Sequence, residues 1–124
     1  MVIRQGDVFW LDLEEPRGSE PGFRRPCVVV QNNLLNRSRI NTVVVCAITG
    51  QLRRAGAPGN VLLEAGEGNL QQRSVVSVSQ IFAVDREFFG EPIGVLSRQR
   101  LEDVLAGVRF VIEPRDIDPS TTTL

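Results

Sequence analysis

Apolar positions along the chain fall into short runs, either alternating with polar ones or continuous in valine. Each run is closed by Gly, Pro, Asn or charged residues. Residues 7–13 alternate loosely, residues 27–31 and 42–48 are valine-rich, and residues 60–63, 74–78 and 80–84 follow. Runs of this length and composition predict successive β-strands of one sheet. After them the period changes. Leu101, Val104, Leu105, Val108 and Ile112 recur at helical spacing behind Ser97, a good N-cap. Gly107 within that helix costs about 1 kcal/mol relative to alanine, which predicts a close packing contact there. Pro114 stops the helix, and residues 115–124 read as a loose polar tail. The expected fold is mainly β with a C-terminal helix: a compact, strongly curved antiparallel sheet or small SH3-like barrel. It forms one domain over residues 1–113, with a flexible tail at 114–124.

Length and composition fit that reading. A chain of 124 residues, 42% apolar and 23% charged, buries enough surface to fold without staples or metal. Its longest apolar run, residues 43–48, falls far short of the ~20 residues of a membrane helix. The first residues lack the apolar core of a signal peptide, so a cytoplasmic location is expected.

The missing residue types narrow the chemistry. With no histidine, imidazole acid–base catalysis and His-ligated metal are excluded. All fourteen basic residues are arginine, so no lysine can form a Schiff base or a phosphate-loop contact. Cys27 and Cys46 both lie in apolar runs and read as small core residues. Charge is unevenly spread. Residues 17–54 hold seven arginines against one acid, Glu20, whereas residues 85–118 are net acidic. A basic cluster of this kind is the footprint of a polyanion site, and the planar arginine fork suits phosphate oxygens.

The connection from Pro16 to Pro26 is too long for a plain hairpin. Its three prolines restrict the chain, and Pro26 biases Arg25 toward an extended backbone at the mouth of the next strand. Here the sequence resembles a known family. Gly6-Asp7-Val8 with Trp10 and Asp12-Leu13, then Gly18-Ser19-Glu20, then Arg25-Pro26 leading into Val28-Val29-Val30-Gln31-Asn32, are similar to the MazF/PemK toxin endoribonucleases. The likeness continues through Asn36, residues 42–49, Ser74-Val75-Val76, Gln80, Val84-Asp85-Arg86, Ile93-Gly94 and the terminal helix.

The resemblance implies a symmetric homodimer that cleaves single-stranded RNA at a short sequence without metal or other cofactor. The products would carry 2′,3′-cyclic phosphate and 5′-hydroxyl ends. It also implies a cognate MazE-like antitoxin that blocks RNA. Arg25 is implied as the phosphate-binding catalytic group and Thr49 as its hydroxyl partner; Glu20, the only carboxylate of the basic segment, reads as the proton acceptor, as the group that orients Arg25, or as a loop-fixing acceptor for backbone amides. Ser19, Arg17, Phe23, Arg24, Asn36 and Gln80 are candidates for RNA contact, Phe23 either stacking a base or packing its own loop down, and the amides reading base edges. A rival reading keeps the fold and drops the chemistry: a CcdB-like toxin that poisons DNA gyrase by binding. The Arg25–Thr49 pair favours the nuclease.

Overall fold

The computed structural model describes residues 1–14, 17–19 and 23–115. Six strands form one sheet: β1 (Asp7–Asp12), β2 (Arg24–Val29), β3 (Thr42–Thr49), β4 (Val61–Leu63), β5 (Ser74–Asp85) and β6 (Phe89–Val95). A one-turn helix α1 (Asn33–Asn36) joins β2 to β3, and helix α2 (Arg98–Ile112) follows β6. The strand order is β4-β5-β3-β2-β1-β6, and every pairing is antiparallel.

The expected curvature has a specific origin in β5. Its pairing with β3 jumps from Cys46↔Ile81 to Ala47↔Ser77, leaving Val78, Ser79 and Gln80 without partners on β3. Extra residues on one side of a ladder bend and twist the strand. What the sequence presents as two runs is therefore one long strand with a kink. This lets its first half pair with β4 while its second half follows β3.

Alternation along the strands divides the core in two. Val8, Val28, Cys46, Ile48, Val76 and Val78 face α2, where Val104 and Val108 complete the cluster. Phe9, Leu11, Cys27, Val29, Val45 and Ala47 face the other way, with Phe9 and Phe89 packed edge to face at 5.1 Å. The cysteines are buried, free and on opposite faces, as core residues should be. Burial pushes both thiols up to about 12, so they stay protonated and unreactive near neutrality.

Ser97 caps α2 by accepting a hydrogen bond from the Arg100 N–H, and the helix ends at Ile112, two residues before Pro114. Arg100 then ties α2 to the short 3-10 turn Glu67–Asn69. Its Nε donates to Glu67 Oε1 at 2.8 Å, while Glu67 Oε2 accepts from the Glu64 N–H at 2.7 Å. These bonds, that from Arg100 foremost, hold the Glu67 carboxyl below the usual carboxylate range. A depressed folded-state value means the stabilisation is complete above the unfolded carboxylate range and lost as pH falls through the lowered value. Glu67→Gln is therefore expected to flatten the fall in stability that wild type shows below about pH 4. Denaturant titrations across the acid limb measure this.

Two elements were not anticipated. β6 carries Gly90, Pro92 and Gly94, a poor strand composition tolerated because it lies at the sheet edge and pairs with β1 through register shifts. α1 is a single turn, too short to leave a periodic signal. Of the expected tail, residues 116–124 lie outside the described part of the chain.

Candidate active site

Site geometry follows from the pairing of β2 with β3. Cys27 stands opposite Ala47. The pairing ends there, and Arg25, near the start of β2, and Thr49, the last residue of β3, each lie two residues further on. Pro26 lies between and has no N–H to extend the ladder. Because side chains alternate, Arg25 falls on the face of Cys27 and Thr49 on that of Ala47. Both residues are half-buried. Arg25 sits close enough to the buried Cys27 for its charge to act on the thiol.

Gln80 lies in the kink of β5, among the residues unpaired with β3. Its Nε2 donates to the Ser19 carbonyl at 3.0 Å, while Oε1 is buried without a hydrogen-bond partner. The bond ties Ser19 of the β1–β2 connection to β5. The base of that connection is closed by two more bonds, Leu13 N–H to the Phe23 carbonyl at 2.8 Å and Phe23 N–H to the Glu14 carbonyl at 3.0 Å. Phe23 is 62% exposed and held at φ 56°, a conformation costly for a bulky residue. Arg17 and Ser19 are exposed on the connection, and Glu20 lies outside the described residues.

Two of the candidate RNA contacts have other partners in the fold. Arg24 is on the opposite face from Arg25, its guanidinium 5.0 Å from the centre of the Trp10 ring. Asn36 lies at the far end of the strands and is only 6% exposed. Its amide donates to the Gln31 carbonyl at 2.8 Å and Asn33 Oδ1 at 3.1 Å, and its Oδ1 accepts from Gln31 Nε2 at 2.9 Å. Arg86 adds bonds to the Asn36 and Ile40 carbonyls, both at 2.9 Å. Asn36 thus braces the β2–β3 connection, with both amide hydrogens engaged inside the protein.

Sequence reasoning missed Trp10 as a wall of the site region. The signal was present, since in a strand with Phe9 and Leu11 on one face, Val8 and Trp10 must share the other. There Trp10 lines a cavity that also reaches Thr49. Among the described residues, no group of three or more His, Cys, Asp or Glu side chains is arranged to hold a metal ion.

The curled antiparallel sheet with one helix on its face is an architecture shared with solved MazF toxin structures. MazF of Deinococcus radiodurans superposes with a TM-score of 0.75 at 24% identity, covering 90% of this chain and 97% of that one. An endoribonuclease from a mycobacterial species, solved in complex with its cognate antitoxin, gives 0.68 at 19% identity over 90% and 93% of the two chains. In sequence, the endoribonuclease MazF2 of Mycobacterium bovis is 35% identical over 113 residues, 91% of this chain and 99% of its own length. The chain belongs to the PemK-like, MazF-like toxins of type II toxin–antitoxin systems, whose family model matches residues 4–112. That membership favours the nuclease over the gyrase-poisoning alternative.

Proposed function

We propose that the protein is an endoribonuclease toxin that makes single-stranded RNA cleave itself. What supports this is the register of β2 and β3, in which Cys27 stands opposite Ala47 and Arg25 and Thr49 each lie two residues further along their strands. In this reaction the ribose 2′-oxygen attacks its own phosphorus. The bond to the 5′-oxygen breaks, leaving a 2′,3′-cyclic phosphate and a free 5′-hydroxyl. Because the nucleophile belongs to the substrate, neither an activated water nor a metal ion is required.

Negative charge builds on the non-bridging oxygens as phosphorus becomes five-coordinate. The Arg25 fork can hold two of them, and the Thr49 hydroxyl can donate to one without altering charge. Both interactions strengthen in the transition state, the condition for accelerating the step. A guanidinium remains charged in proteins and is a poor base, so Arg25 serves as stabiliser and as proton donor toward the leaving oxygen. Glu20, the single carboxylate of the basic segment, takes the 2′-hydroxyl proton. Arg17, Ser19, Phe23 and Gln80 line the approach for the strand.

As a member of its family, the toxin works as a homodimer in the cytoplasm, cuts mRNA to arrest translation and growth, and is held by a MazE-like antitoxin. Among the described residues, no helix is long and apolar enough to cross a membrane.

The test uses purified protein and RNA oligomers. Cutting is expected to persist in EDTA and to leave cyclic-phosphate ends. A single deoxyribose at the cut position should stop cleavage while binding continues. If that substrate is cut normally, the attacking group is not the 2′-hydroxyl and the mechanism fails.

A further inference from the structure

The cavity beside Thr49 has a volume of about 510 Å³ and opens on the face of the sheet opposite Arg25. Thr49 stands where β3 ends, so a strand whose phosphate rests there can turn round the sheet's end and drop its neighbouring base into this space. The walls suit a flat ring. Trp10, Pro92 and Ile93 are apolar, and the indole is restrained by the Arg24 guanidinium stacked over it. Asn69, at φ 60°, fixes another wall by donating its amide to the Ile93 carbonyl at 2.8 Å. The rim is polar and bears Gln71, Gln72 and Glu91. Among the described lining residues there is no cation, and the one charged group is Glu91. A nucleobase would find stacking surface and edge partners there.

Resting on the nuclease reading above, we propose that this cavity receives the base adjoining the cut phosphate and selects one bearing an exocyclic amine. A carboxylate accepts from the amino groups of cytosine, adenine or guanine. Uracil turns two carbonyl oxygens to the same rim and is disfavoured there. Gln71 and Gln72 donate and accept, so they complete the match for any amine-bearing edge.

Trp10 is the only tryptophan, so its emission reports the cavity directly. The probes are short 2′-fluoro RNA oligonucleotides, which lack the nucleophile, with each position varied in turn. Binding is followed independently by anisotropy of a labelled strand. Saturation should quench Trp10, and uracil at one position should weaken binding roughly fivefold relative to amine-bearing bases. Glu91→Gln should shrink that preference to within about twofold, because an amide tolerates carbonyls as a carboxylate does not. Unchanged Trp10 emission with RNA bound overturns the assignment, and so does a base profile that Glu91→Gln leaves intact. All-ribose versions of the same oligonucleotides separate the two readings. Cutting without quenching removes the cavity's role alone; quenching without cutting removes the nuclease alone; absence of binding removes both.

Discussion

Arg25→Ala should lower the rate of RNA cleavage by about 10²- to 10³-fold, with little change in the affinity for uncleavable RNA. That is the usual loss when one preorganised donor to a developing oxyanion is removed. The loss is expected in kcat, with KM nearly unaltered, because the guanidinium's two bonds matter most when phosphorus is five-coordinate. Arg25→Lys separates charge from geometry: an ammonium supplies a point charge but not two parallel bonds, so only part of the rate should return. Thr49→Val keeps shape and β-branching while deleting the hydroxyl, and about a tenfold loss is expected from that smaller, uncharged donor. Both residues are half-buried at strand ends, so thermal unfolding of the variants should stay near wild type. Single-turnover cleavage with anisotropy of a 2′-fluoro strand measures rate and binding separately. Full activity in the Arg25→Ala protein would remove the arginine from the chemistry.

The site was legible in part because its two central residues lie in strands with strong signals. Valine-rich β3 and the Arg25-Pro26 mouth of β2 can be found from pattern alone. The antiparallel register then forces the pair onto one face. What the sequence concealed depends on contacts between distant segments. Asn36 has the composition of a surface turn, yet Gln31, Asn33 and Arg86 surround it with partners, and a polar residue can be buried once its hydrogen bonds are met. Arg24 and Arg25 look alike in a basic run, but a period of two sends them to opposite faces, Arg24 onto Trp10 and Arg25 to the face of Cys27. β6 was hidden for a different reason. Gly94 lies against the Gly68 carbonyl and Asn69 Cβ, so a residue that weakens strand propensity is there to let the 3-10 turn approach.

Gly107→Ala should be among the most destabilising single-methyl additions available to this protein, although helix propensity points the other way. In α2 the exchange gains about 1 kcal/mol of propensity. Against this, a Cβ at position 107 would overlap the Gly59 carbonyl oxygen and lie 3.0 Å from Val78 Cγ1 and 3.1 Å from the Gly59 carbonyl carbon. Gly59 cannot readily yield, since it holds φ 84° beside β4, and Val78 is fully buried at the kink of β5. Overpacking typically costs about 1–3 kcal/mol, and against a backbone that cannot move the upper end applies, so the clash outweighs the propensity gain. For a domain of this size, a net loss of about 2 kcal/mol lowers the melting temperature by roughly 8 °C. Calorimetry or circular dichroism on the purified variant gives the number directly. The consequence extends beyond stability, because α2 holds the turn Glu67–Asn69 through Arg100, and that turn walls the cavity at Thr49. A variant in which α2 has shifted should therefore lose base discrimination before it loses the Arg25–Thr49 chemistry, which stands on β2 and β3. A melting temperature equal to or above that of wild type would show that α2 does not rest on Gly59.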